Sequence, residues 1–154
     1  MCVPTDWDVI WLELCGNCAF WRSQDTSELR RTGSCASDCK GTLSLAYRGI
    51  VSIADGTLAG LPLVQLLSLD GNKLSTLPQD ALAGLAGLQG LDLGRNRLSE
   101  LPAGVFAGLE HLHLRGNDLT QLPDSVFEPL AHLQTLILEG SDDPIKIPVL
   151  KPHG

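Results

Sequence analysis

Two histidines stand two positions apart in the stretch Glu110-His111-Leu112-His113-Leu114. If the stretch is extended, both rings leave one face about 6–7 Å apart, close enough to share a metal ion. A zinc site wants three or four nitrogen, sulfur or carboxylate ligands. Asp92 is the nearest carboxylate in the pattern, and no third histidine falls beside it. No Ser/His/Asp or Cys/His constellation is apparent either, so the chain reads as a non-enzyme without a cofactor, with metal binding as an alternative.

The cysteines are the other set with chemistry in it. Cys2, Cys15, Cys18, Cys35 and Cys39 all precede residue 40. Cys15-x2-Cys18 with Cys35-x3-Cys39 comes near zinc-ribbon spacing, and four thiolates would make a closed structural site. The same four can pair as disulfides that staple the segment, as in secreted scaffolds, or stay reduced. Every alternative is structural, and the odd count leaves Cys2 as the free thiol.

The elements that position these residues come from a repeat. Leu67-Ser-Leu69-Asp-Gly-Asn72-Lys-Leu74, Leu91-Asp-Leu93-Gly-Arg-Asn96-Arg-Leu98 and Leu112-His-Leu114-Arg-Gly-Asn117-Asp-Leu119 superimpose on one another. Each runs on into Leu-Pro and then a bulky apolar residue (Leu82, Phe106, Phe127). Alternation at period two makes each leucine pair the buried face of a short strand. A lone strand of this kind cannot bury its leucines, whereas stacking on the next copy does. The copies run in one direction, so the sheet is parallel and the remainder of each unit is its crossover.

This pattern, L-x-x-L-x-L-x-x-N-x-L, resembles the leucine-rich repeat family. The resemblance implies an α/β solenoid, with a short parallel sheet on the concave face and 3-10 or loop segments on the convex face. Strands begin at Leu43, Leu67, Leu91, Leu112 and Leu136, in steps of 24, 24, 21 and 24 residues. The 24-residue step with its Leu-Pro and Phe positions is similar to the typical class of extracellular receptors and matrix proteins, which points to an extracellular or cell-surface setting. In the family the repeated asparagine bonds backbone within and between coils, so Asn72, Asn96 and Asn117 are expected to form a ladder. Leu58, Leu82, Phe106 and Phe127 are expected to stack as a spine behind the core.

Residues 1–41 read as an amino-terminal cap. Thr5 and Asp8 resemble a capping box, and Trp7, Ile10, Trp11 and Leu14 fall at helical spacing, which predicts a helix near 6–14. The charged run from Arg22 to Gly33 reads as a surface loop with a turn of helix near Ser27 to Arg31. Family caps carry C-x3-C-x-C followed by a fourth cysteine. Cys35 and Cys39 match the first pair, but Gly41 and Leu45 stand where later cysteines belong. Residues 42–141 are the repeats and 142–154 an irregular tail. Without a cysteine-bonded cap there, Leu133, Leu136 and Leu138 are expected to face solvent and to promote self-association through the last strand.

Composition narrows the function. The net charge of −7 argues against nucleic acid, whose recognition wants clustered Lys and Arg. No apolar run approaches the ~20 residues of a membrane span, and no signal-peptide pattern follows Met1. The resemblance therefore implies a protein-recognition module that binds an unidentified protein ligand through its concave face; a structural segment or fragment of a longer receptor is the alternative. The period puts Thr42, Leu66, Gly90, His111 and Thr135 in one exposed column. Ser44, Ser68, Asp92, His113 and Ile137 fill the next, and Ala46, Asp70, Gly94, Arg115 and Glu139 the third. The face turns from small and acidic to basic at the fourth strand. Partner contact is expected at His111, His113 and Arg115, flanked by Asp92 and Glu139, and histidine chemistry makes it pH-dependent between about pH 6 and 7.5.

Overall fold

A computed structural model of the chain describes residues 9–33, 38–102, 106, 108–119 and 133–138. Among them the strands are β1 (Val9–Cys15), β2 (Cys18–Ser23), β3 (Glu28–Thr32), β4 (Lys40–Ser44) and β5 (Ser52–Ile53), followed by β6 (Leu63–Ser68), β7 (Gly90–Asp92), β8 (His111–His113) and β9 (Thr135–Ile137). They make two sheets, in the order β1-β2-β3-β5 and β4-β6-β7-β8-β9.

The second sheet is parallel throughout and is the sheet of a solenoid. Leu43, Leu67, Leu91, Leu112 and Leu136 stand in line from strand to strand. Leu67, Leu69, Leu91, Leu93, Leu112 and Leu114 are each at most 2% exposed. Burying one such side chain is worth about 1.5–3 kcal/mol, and each copy obtains it only from its neighbours. The crossovers are turns: Ala81, Leu85 and Leu88 donate their amides to carbonyls three residues back, the tight 3-10 spacing. Behind the sheet Leu58, Leu82 and Phe106 are buried in the core; Phe127 lies outside the described residues.

Among its described residues the amino-terminal cap is not helical. Residues 9–15 are strand β1, paired antiparallel with β2 so that Cys15 faces Cys18 across Gly16-Asn17. Thr5 to Asp8 lie outside the described residues. Two periods compete in Val9-Ile-Trp-Leu-Glu-Leu-Cys15, and the period of two wins: Leu12 is 8% exposed while Trp11 is 44% exposed. β-branched and aromatic residues favour that outcome. The decisive signal is Gly16-Asn17 between two apolar runs, a two-residue hairpin connection. Gly16 has φ of 60°, the conformation that the first residue of a type II′ turn demands.

The charged segment after β2 is likewise strand rather than a surface loop with a helical turn. Leu29 to Thr32 pair antiparallel with β2 on one side, and Glu28 and Leu29 line up in parallel with Ser52 and Ile53 of β5 on the other. Leu29 is fully buried, and the charges sit to either side of it. Arg30 lies 2.6 Å from Glu28 and over the Trp21 ring. Arg31 donates to the Ala59 carbonyl at 2.8 Å, and its burial lowers the guanidinium pKa. Through β3 and β5 the cap is stitched to the first coil by backbone.

Cys15 and Cys39 form a disulfide, and Cys18 is disulfide-bonded as well. For these three cysteines the zinc-ribbon and reduced-thiol readings are therefore overturned; Cys2 and Cys35 lie outside the described residues. The Cys15–Cys39 bond joins the end of β1 to the residue before β4. Beside it the Asn17 side chain donates to Asp38, so the hairpin tip is fastened where the parallel sheet starts. At the far end Leu133, Leu136 and Leu138 are half-buried against the core, and the tail 142–154 lies outside the described residues. Among the described residues no helix is long and apolar enough to cross a membrane.

The Cys15–Cys39 bond closes a loop with a sequence separation of 24. Replacing both residues by Ser should lower the unfolding free energy by about 2–4 kcal/mol, through the freedom regained by the unfolded chain. Urea denaturation measures it, and unchanged stability would mean that backbone pairing alone holds the cap.

Candidate protein-binding face

The exposed columns of the sheet stay in register because buried asparagines clamp each coil to the one before it. Asn72 accepts from the Arg48 and Ile50 amides at 3.0 and 3.1 Å and donates to the Leu45 and Leu69 carbonyls. Asn96 accepts from Leu74 and donates to Leu69, Leu93 and Gly94. Asn117 accepts from Leu98 and donates to Leu93 and Leu114. Each amide thus uses its acceptor on the preceding coil and shares its donors between two coils. All three residues are at most 6% exposed, so these bonds form out of water.

On the outward face the pairing sets Leu66, Gly90 and His111 side by side, with Ser68, Asp92 and His113 in the next column. Backbone bonds from Leu69 to Asp92, Gly71 to Gly94 and Arg95 to Arg115 carry the alignment on to Asp70, Gly94 and Arg115. Gly90 has no side chain, and Leu66 leans into the gap: a Cβ at Gly90 would lie 2.5 Å from the Leu66 Cδ2 atom. The result is a depression of about 220 Å³ bordered by Thr42, Leu66, Ser68, Asp92, His111 and His113. Gly90 and Asp92 form its floor, with Leu66 and Ser68 on one side and His111 and His113 on the other, while Asp70, Gly94 and Arg115 continue the row beyond it.

Of the residues singled out from sequence, His111 is exposed on the lip of the depression and His113 is half-buried on it. His113 Nδ1 faces Asp92 Oδ2 at 3.8 Å with both side chains in partial contact with solvent, a contact worth at most about 1 kcal/mol. Asp92 Oδ1 accepts the Gly94 amide at 2.9 Å. Arg115 is exposed further along the wall, outside the depression, and Glu139 lies outside the described residues. Leu66 and Gly90 matter more than their residue types suggest. The signal for them was a large apolar residue beside a glycine in one exposed column. Among the described residues no three His, Cys, Asp or Glu side chains converge as metal ligands.

A second cluster sits where the strands turn into loops. Tyr47, Gly71, Arg95 and Gly116 occupy one repeat position, and all four have positive φ. Tyr47 and Arg95 carry strain there that glycine avoids, of the order of 1 kcal/mol or more each. Arg95 bonds the Tyr47 hydroxyl, lies 6.0 Å from its ring centroid and reaches Asp70 Oδ2 at 3.4 Å. The hydrogen bond to Tyr47, then the charges of Tyr47, Asp70 and Asp92, raise the Arg95 pKa above its ordinary value. The Tyr47 ring occupies the space where a Cβ of Gly71 would stand. Gly71→Ala should therefore cost about 1–3 kcal/mol through strain and displacement of the ring. In a Tyr47→Ala background the penalty should shrink, a coupling that a double-mutant cycle reads. Equal penalties in the two backgrounds would show the ring to be a bystander.

Comparison with known proteins follows the same lines. A family profile described as leucine rich repeat matches residues 42–98 and 88–142. No curated protein sequence matches the chain. Among solved structures it is similar to a chain of the Toll–Spätzle complex, a molecular hub in Drosophila development and innate immunity. The likeness is 26% identical with a TM-score of 0.55, over 68% of this chain and 18% of that one. The chain thus spans under a fifth of its structural neighbour's length. With two overlapping matches running from Thr42 to Asp142 and its strands stacked coil on coil, the chain belongs to the leucine-rich repeat family.

Proposed function

We propose that the chain is a non-catalytic protein-recognition module that binds a protein partner through the outward face of its parallel sheet, the concave side in this family. The observation that carries the reading is the depression over Gly90, an apolar hollow open on a face otherwise composed, Ile137 apart, of small, polar and charged side chains. An apolar hollow with polar groups at its edge is the form that recognition sites take. The neighbour of known structure was solved as the Toll–Spätzle complex, which supports a protein rather than a small molecule as ligand.

Contact centres on His111, His113 and Arg115, with Asp92 and Glu139 as flanks. The covering of only 18% of the structural neighbour favours, as a second reading, that these coils are one segment of a longer receptor-like solenoid. The two readings share the same face and differ in what is joined to it.

Exchange of His111, His113 and Arg115 for Ser together should abolish capture of a cross-linked protein partner. Exchange of Asp55, Gln79 and Asp80 for Ala, on the crossover side, should leave capture intact. The reverse outcome would move the binding surface to the crossovers and end the sheet-face reading.

A further inference from the structure

Where the strands turn into loops, Gly71 and Gly116 take positive φ without strain, whereas Tyr47 and Arg95 take φ of 54° and 52° at the same repeat position. A side chain is kept there twice against a backbone preference that glycine satisfies, and the two side chains touch each other. Strain of this kind collects at sites of function. Both residues are exposed, Tyr47 by 60%, so neither is held in place by the core.

The contact fixes one end of a guanidinium and leaves the other free. Arg95 spends Nη1 on the Tyr47 hydroxyl and on Asp70 Oδ2, while its Nε and Nη2 have no partner among the described residues. Two N–H groups side by side form the fork that receives both oxygens of a carboxylate. More cations stand around it. Lys73 and Arg97 follow Asn72 and Asn96 on neighbouring coils, Arg115 lies beside Arg95 on the next, and all three are exposed. None of them forms an ion pair among the described residues. Arg22 and Arg31, by contrast, bond backbone carbonyls, and Arg30 and Arg48 pair with Glu28 and Glu13. Of the acids on this margin, Asp70 is engaged by Arg95, and Asp92 by the Gly94 amide and His113. Asp118, exposed after Asn117, ends the row.

We propose that this margin of the sheet docks an acidic segment of a protein partner, with Arg95 holding one carboxylate in a two-bond fork and Lys73 and Arg97 attracting its neighbours. The proposal rests on the protein-recognition reading and adds a contact beside the sheet face. Tyrosine and arginine are among the residues that dominate binding energy at protein interfaces. Tethering of the guanidinium by Tyr47 also removes part of the cost of ordering it on binding. Charge complementarity selects the occupant. The net charge of −7 repels a long polyanion such as a sulfated polysaccharide, so the margin suits a short run of Asp or Glu.

The test is selection of a random linear peptide library, displayed on phage, against the whole immobilised chain, with a heparin oligosaccharide as a second probe. Enriched peptides should carry two or more Asp or Glu, and should bind more weakly as salt is raised. Arg95→Gly should weaken them at least tenfold while the thermal midpoint stays level or rises, because glycine relieves the strain. Arg95→Lys, which keeps the charge and loses the fork, should fall between the two. Lys73→Ser with Arg97→Ser should weaken binding as well. Peptides lost with His111→Ser and His113→Ser but indifferent to Arg95, Lys73 and Arg97 would overturn this proposal and leave the sheet-face reading standing. Peptides indifferent to both sets would overturn both. A lowered midpoint in Arg95→Gly would show the side chain to be kept for stability and would count against the site. Heparin bound more tightly than any peptide, enrichment of neutral or basic peptides, or no enrichment over bare support would each overturn the acidic-segment proposal.

Discussion

The architecture depends on one interaction, the hydrogen bonding of a buried asparagine across two coils. Where a strand turns into its crossover, backbone amides and carbonyls point into the core and away from water, and leaving one unpaired costs about 1–3 kcal/mol. Asn72, Asn96 and Asn117 supply the partners, one acceptor and two donors each. Leucine stacking provides most of the favourable free energy but is non-directional. The amides provide direction, because they are satisfied only when coil follows coil in a single register.

That register is what makes the outward face a surface rather than a set of loops. Leu66, Gly90 and His111 come from three copies separated by some twenty residues each, yet they stand in one row. The missing side chain at Gly90 becomes a hollow only because its neighbours on both sides hold their places. The same register brings Tyr47 over Gly71 and lets Arg95 reach back to it. The exposed chemistry of the chain is thus a consequence of its buried polar bonds.

How much of this was legible in the sequence differed along the chain. Strand positions, their parallel pairing and the columns could be read because they follow from leucines at a fixed spacing and from copies that agree. The cap could not, since it has no second copy against which to check a period. In Val9 to Cys15 the helical and extended spacings share Ile10 and Leu14, and the hairpin pairing with Cys18 to Ser23 settles the choice. The Arg-rich segment hid a strand because a single buried residue, Leu29, was enough to anchor it. At the candidate site the histidines were conspicuous by type, while Gly90 acts through what it lacks. A gap of that kind becomes visible only when the side chains around it have positions.

The central claim is that each asparagine holds the coil before it. Hydrogen exchange on an Asn96→Ala variant tests it most directly, residue by residue. The Leu74 amide, bonded to Asn96 Oδ1 at 3.0 Å, should lose protection by a factor on the order of ten or more, the equivalent of the 1–3 kcal/mol lost with its partner. The Ile50 amide, held by Asn72, should exchange much as before. Unchanged protection at Leu74, or a uniform loss throughout the sheet, would contradict the account.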